Sequence, residues 1–181
     1  MRKKLVAFIG EIGAGKSTAA LAFTRSGFKR ISFADPLKQM LSTLGLSHEE
    51  LYGKDKEVPS VLLSGKTPRF AMQTLGTEWG RDIISPEIWV NAWLHRVSQN
   101  VSAGAVVDDM RFPNEYSAVR SLGGIVVKIV RDNKVNHEQS NTGHASEASF
   151  EDFNYDHVIM NRMDETFFKN LNRLYMDIVN A

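Results

Sequence analysis

Eight residues, Gly10-Glu11-Ile12-Gly13-Ala14-Gly15-Lys16-Ser17, place a glycine, four residues and then Gly-Lys-Ser in the order that binds polyphosphate. Gly10, Gly13 and Gly15, with the small Ala14, let the backbone curl until successive N–H groups point inward as a nest for phosphate oxygens. A helix opening at Lys16 turns its positive end to the same point. Lys16 adds a mobile cation for the β- and γ-phosphates, Ser17 offers a hydroxyl to Mg²⁺, and Thr18 closes the phosphate-binding run. The implied chemistry acts on a nucleoside triphosphate, with ATP and Mg²⁺ the expected pair.

Four further clusters bear on what such a site would do. Asp35, with Lys38 one turn later, follows an apolar run; a carboxylate there could orient an acceptor oxygen or take its proton, or could cap the helix that Pro36 opens. Arg69, Gln73, Gly76 and Gly80 share a helix face by their spacing of four, three and four, and Met72, Leu75 and Trp79 share another that would face a core. On the first face Arg69 could grip a phosphate and Gln73 could read a base edge, with close-approach glycines beside them; the alternative is an ordinary solvated face. Arg81 ends that cluster. Val106-Val107-Asp108-Asp109-Met110-Arg111 is an apolar strand ending in carboxylates, the Walker B arrangement that holds Mg²⁺, and Arg111 would project from the same strand end. Asp108 and Asp109 both stand as metal candidates, and a capped strand-to-helix turn is the alternative. The fourth cluster runs from Arg131 to His144-Ala145-Ser146-Glu147 in a polar stretch. Transfer to a small acceptor needs water excluded, and a polar insert carrying an arginine could close the site and stabilise the transferring group. His144 alone reads equally as a surface histidine, and His137, His144 and His157 lack a metal-ligand spacing.

The elements that must position these groups alternate. Residues 4–9 form a buried strand before the glycine loop and 16–24 a helix after it; 28–33 form a second strand. Asp35 is expected as the N-cap of a helix to about Leu44, and Ser47 with Glu50 as a capping box for a short helix. Residues 53–66 are polar and irregular. Thr67-Pro68 opens a helix to about Trp79, and Ser85-Pro86 another to about Asn100. Strands at 105–108, 125–130 and 157–160 bracket a helix over 113–122 and the polar stretch 131–149. Phe167, Phe168, Leu171, Leu174, Tyr175 and Ile178 stripe a last helix, which reads as core packing. This is the pattern of a parallel sheet with helices on both faces.

Composition narrows the class. The net charge of +1 gives no broad nucleic-acid footprint, and the absence of cysteine removes disulfides and thiolate metal sites. Arg2-Lys3-Lys4 and its apolar run pass straight into the glycine loop, too short for a secretory signal, and no stretch is long enough to cross a bilayer. The expectation is a cytoplasmic enzyme (of the host, if phage-encoded).

Taken together, residues 10–17, 33–38, 67–82, 109–115 and 144–147 resemble the deoxynucleoside monophosphate kinases of bacteriophages. The family-specific part is the run Asp109-Met110-Arg111-Phe112-Pro113-Asn114-Glu115 after a Thr-Pro-Arg…Gln…Gly helix. The resemblance implies an α/β P-loop fold, a three-layer sandwich with a small lid, and transfer of the ATP γ-phosphoryl group to a deoxynucleotide. It favours Asp109 as the strand-end carboxylate, where a plain count along the apolar run favours Asp108. It makes Arg69, Gln73, Arg81 and Arg111 acceptor-side residues and Arg131 a phosphate or lid arginine.

The reading is thus one P-loop kinase domain over 1–181, with a substrate-binding helical region at 53–100 and a lid-like segment at 131–149. Lys16, Asp35 and Arg131 carry the transfer; Asp35, Lys38, Arg69, Gln73, Arg81, Trp89 and Arg111 hold the acceptor. For Trp89 core packing is the standing alternative. The nearest rival is a P-loop kinase for dephospho-coenzyme A, phosphomevalonate or a sugar acid. A P-loop ATPase acting on a macromolecule is a more distant one, since no Asn-Lys-x-Asp run or strongly basic tract is present. No membrane association or stable nucleic-acid binding is expected, and a homodimer is compatible with the sequence.

Overall fold

Strand β1 (Lys4–Ile9) is buried along nearly all its length, as its unbroken apolar run requires of a central parallel strand. It sits in the middle of a five-stranded sheet ordered β2 (Phe28–Arg30), β3 (Gly104–Val107), β1, β4 (Ile125–Arg131), β5 (His157–Asn161), with every pair parallel. The computed structural model describes residues 4–100, 102, 104–132 and 153–180. By compactness it divides into one unit of residues 1–32 and 96–181, which holds the sheet, and a second of residues 33–95.

Strand parity assigns the two faces of the sheet. Val6, Phe8, Val106, Val127, Ile129 and Ile159 point to one face, where they meet Ala19, Ala20 and Phe23 of α1 (Lys16–Arg25) and Phe167, Leu171, Leu174 and Ile178 of α7 (Glu165–Asn180). Phe23 lies edge-on to Phe8, Phe28 and Tyr175 at 5.3, 5.4 and 5.6 Å between ring centroids. Of the α7 stripe, Phe168 alone is exposed. The opposite face carries Leu5 and is covered by α6 (Pro113–Ser121): a Cβ on Gly124 would lie 2.5 Å from Val119 Cγ1 and 3.1 Å from Leu5 Cδ2. Helices thus cover both faces.

The second strand is shorter than the expected 28–33. β2 pairs with β3 over Phe28 to Arg30 alone, and Ile31 N–H donates to Val106 O (3.0 Å) just past the strand's end.

The unit of residues 33–95 is helical. α2 (Asp35–Thr43) and α3 (His48–Leu51) pack around Leu41, Leu46 and Leu51, against Tyr52, Leu63, Ala71, Met72 and Leu75. Asp35 is not the N-cap: Ala34 takes that place and Asp35 sits in the first helical turn. The Ser47–Glu50 capping box forms as expected. The stretch read as irregular contains two 3₁₀ turns, Lys54–Glu57 and Val61–Leu63. Thr67 Oγ accepts from Phe70 N–H (3.1 Å) and starts α4 (Pro68–Thr74). The helix does not stop near Trp79. It widens into a π-helical segment, Leu75–Ile84, closed by Ser85 N–H to Gly80 O (2.9 Å), before α5 (Ile88–Ser98). No helix among the described residues is long and apolar enough to cross a membrane.

Candidate active site

The sheet unit carries the glycine loop expected to bind phosphate. Its glycine loop leaves the C-terminal end of β1 and delivers the chain into α1. Gly10 and Gly15 have positive φ (141° and 106°), and neither has room for a side chain: a Cβ on Gly10 would strike the Ile129 carbonyl, and one on Gly15 the Asn161 amide. Lys16 Nζ folds back over the loop and donates to the carbonyls of Gly10 and Glu11, both at 2.7 Å. Its pKa is held below the ordinary lysine value, first by burial and then by the Arg111 guanidinium; Asp108 and Glu11 pull the other way.

Around this loop the neighbouring strand ends supply charge. Asp108, the first residue past β3, is buried at 3 % exposure. Its Oδ1 accepts from Arg30 Nε at 2.8 Å, while its Oδ2 is buried with no hydrogen-bond partner among the described residues. Asp109 is half-buried. Arg111 is aimed by its own backbone: the N–H groups of Arg111 and Phe112 donate to Glu115 Oε2 at 2.7 and 3.2 Å, and Glu115 is buried. Arg131 closes β4 and lays its guanidinium over the loop crest, with Nη1 3.5 Å from where a Cβ on Gly13 would sit. Neither Arg111 nor Arg131 has an ion-pair partner among the described residues. One buried carboxylate thus stands among four cations, Lys16, Arg30, Arg111 and Arg131, around a backbone nest, which suits a polyanion with its metal. No group of three or more His, Cys, Asp and Glu among the described residues could hold a metal ion. The donors present are the Ser17 hydroxyl and the orphaned Asp108 Oδ2. Such a sparse oxygen set suits Mg²⁺, which takes its remaining ligands from phosphates and water.

The acceptor candidates lie on the helical unit. Asp35 and Lys38 are on α2, and Lys38 Nζ sits 4.1 Å over the Tyr52 ring. Arg69 and Gln73 share a face of α4. Arg69 Nε is ion-paired to Glu57, both side chains exposed, and Gln73 is half-buried with no hydrogen-bond partner among the described residues. Of the glycines expected to admit a ligand, Gly80 is filled instead. The Trp89 indole lies against Gly80, donates from Nε1 to Gly76 O at 2.7 Å, and is 3 % exposed. Trp89 is core packing under the π-helical turn. Trp79, expected in the core with Met72 and Leu75, is 37 % exposed, because the wider π turn shifts it out of phase. Arg81 Nη1 reaches the Pro86 carbonyl at 3.4 Å. Of the lid-like segment only Arg131 and Asp132 are among the described residues; His137 and the run His144–Glu147 lie outside them.

Sequence reasoning passed over three residues of this site. Arg30 falls inside an expected strand and Asn161 just past one, neither with a motif; only Glu115 carries a signal, standing third from Phe112 as a capping glutamate does.

Residues 65–171 match the family model for deoxynucleotide monophosphate kinase. A protein of Acanthamoeba polyphaga mimivirus, named provisionally as a deoxynucleotide monophosphate kinase, is 34 % identical over 98 % of this chain and 95 % of its own length. The deoxynucleoside-5'-monophosphate kinase of Escherichia phage T5 is 28 % identical over 75 % of this chain and 53 % of its own. Among solved structures, TT1252 from Thermus thermophilus shares the fold across 99 % of this chain and 98 % of that one, with a TM-score of 0.55 at 14 % identity.

Proposed function

The chain belongs to the deoxynucleotide monophosphate kinase family, and from that premise we propose that it transfers the γ-phosphoryl group of ATP to a deoxynucleoside monophosphate, giving ADP and a deoxynucleoside diphosphate. The observation that carries the reading is the convergence of Lys16, Arg111 and Arg131 on a glycine nest beside a buried carboxylate with one free oxygen. Lys16, whose ammonium now rests on loop carbonyls, swings to the β- and γ-phosphates. The nest and the α1 N-terminus fix the non-transferring oxygens. Arg131 takes charge that develops on the transferring group, and Arg111 holds phosphate. Ser17 and Asp108 would hold Mg²⁺, which would supply neutralisation of phosphate charge; Asp108 takes this role ahead of Asp109 because its buried Oδ2 lacks a partner among the described residues.

On the helical unit, Arg69 and Gln73 bind the acceptor, Arg69 leaving Glu57 for the acceptor phosphate and Gln73 offering its amide to a base edge. Asp35, Lys38 and Arg81 complete that side. The acceptor phosphate is anionic at neutral pH, so Asp35 orients rather than deprotonates, and positioning with electrostatics carries the rate. The reaction takes place in the cytoplasm.

The test is ADP release with Mg·ATP and a panel of dNMPs, NMPs, dephospho-coenzyme A and phosphomevalonate, with products resolved by chromatography. Formation of dNDP that depends on one or more dNMPs is expected. Turnover with a non-nucleotide acceptor alone would overturn the assignment while leaving the P-loop in place.

A further inference from the structure

We infer that Asn161 is a positioning residue that holds the glycine loop in its phosphate-binding shape before nucleotide arrives. The inference rests on the phosphate-donor reading of that loop. Asn161 ends β5, two strands away from β1, and is buried at 4 % exposure. Its parity with Ile159 points its side chain to the α1 face of the sheet, under the loop. There its Nδ2 donates to the Ala14 carbonyl at 2.8 Å across 147 residues of sequence. That one bond fixes the peptide unit between Ala14 and Gly15. With its carbonyl turned down onto Asn161, its N–H, on Gly15, is turned the opposite way, toward the nest.

Two further hydrogen bonds make Asn161 a rigid support. Its Oδ1 accepts from Met163 N–H at 2.9 Å, and its backbone carbonyl accepts from Asp132 N–H at 3.1 Å. Met163 holds φ at +61°, a conformation a non-glycine residue adopts only where its surroundings impose it. Gly15 faces the amide so closely that no side chain fits, so the absence of a Cβ at this loop position is explained by Asn161 as well as by phosphate. Arg131 is paired to Asn161 across the β4–β5 ladder and meets the loop at Gly13. Two cross-strand partners therefore reach adjacent points of the crest, Arg131 by proximity to Gly13 and Asn161 by a hydrogen bond to Ala14.

Asn161→Asp keeps size and the acceptor for Met163 but replaces the donor to Ala14 with a second acceptor. Calorimetric titration of the full-length protein with Mg·ADP, and separately with dAMP, dGMP, dCMP and dTMP, reads the effect. We expect Mg·ADP affinity to fall about tenfold or more, the ratio one lost hydrogen bond with a stranded buried carbonyl carries, and dNMP affinity to change by less than about twofold. In turnover the KM for ATP rises while that for the acceptor holds. Unchanged Mg·ADP affinity in a folded variant would overturn the inference, as would equal losses for both ligands, which mark general loosening. If Asn161→Asp fails to fold, Asn161→Ser, a smaller donor that no longer reaches Ala14, takes its place under the same criteria. Failure of the wild-type protein to bind Mg·ADP would instead overturn the phosphate-donor reading, and the inference with it.

Discussion

Replacing Arg30 by methionine tests whether the buried carboxylate of the phosphate site is held by a residue outside every recognisable motif. Asp108 has a side chain 1 % exposed, and Arg30 Nε at 2.8 Å satisfies one of its oxygens. Removing the partner of a fully buried pair costs about 3–5 kcal/mol, because the remaining charge is stranded. Arg30 is 41 % exposed, so water screens part of the interaction, and about 1.5–3 kcal/mol is the better expectation. For a chain of this size each kcal/mol moves Tm by about 2–4 °C, giving a fall of about 3–12 °C. The assay is thermal unfolding at neutral pH of wild type, Arg30→Met, Asp108→Asn and the double variant. If the pair is the cause, Arg30→Met costs much less in the Asp108→Asn background, since no carboxylate is left to strand. The same variant should raise the Mg²⁺ concentration needed for half-maximal turnover by about tenfold, as loss of a group that orients a metal ligand does. An Arg30→Met protein that melts with wild type, or that loses equal stability in both backgrounds, would refute the argument.

Four other outcomes follow from the same geometry. Lys16→Ala should lose about 3–4 kcal/mol of transition-state stabilisation, some 150- to 1000-fold in kcat, and near-normal turnover would remove Lys16 from the reaction. Because burial and Arg111 depress the Lys16 pKa, the folded protein sheds that proton at a pH where the unfolded chain still keeps it. Between the depressed value and the ordinary 10.5, this residue's contribution to the stability of the nucleotide-free protein therefore rises with pH while Mg·ATP affinity falls; urea melts and titrations across the alkaline range should show opposite slopes, and flat affinity would contradict the role. Gly80→Ala places a Cβ 2.6 Å from Trp89 Cζ2 and should destabilise by about 1–3 kcal/mol, read in Tm, whereas an unchanged melt would show that the indole is not packed on that backbone. Arg69→Ala should raise the acceptor KM far more than the ATP KM with little change in Tm, because its pair with Glu57 is exposed; equal KM effects would take Arg69 off the acceptor.

What could be read from the sequence was local. The glycine loop, the Thr67 cap and the Ser47–Glu50 box are each decided within a few residues, and each forms. The misreadings lie where a distant side chain decides. Gly76 and Gly80 have the spacing of a ligand-facing stripe, but Trp89 fills the space at Gly80, donates to the Gly76 carbonyl and accompanies a π turn that moves Trp79 to the surface. Asp108 and Asp109 cannot be told apart by composition. The sheet separates them, because β3 ends at Val107 and the next side chain meets Arg30, 78 residues away.

That contrast points to where the remaining groups are to be found. In a parallel sheet every strand delivers its C-terminal end to one edge, and ligands bind there. Here β1 runs into Gly10, β2 ends on Arg30, β3 is followed by Asp108, β4 ends on Arg131 and β5 ends on Asn161. Each of the four side chains stands at or just past the C-terminal end of its strand and meets the glycine loop or its carboxylate. Scattered over 150 positions, these residues have no common spacing and no motif could gather them. Their common feature is place, at the C-terminal end of a strand in one parallel sheet. The strand end is a position where backbone N–H groups, phosphate and solvent can satisfy a charge that the buried parts of the sheet cannot. The loop motif supplies the nest, and the sheet edge supplies the side chains that hold it and set its charge.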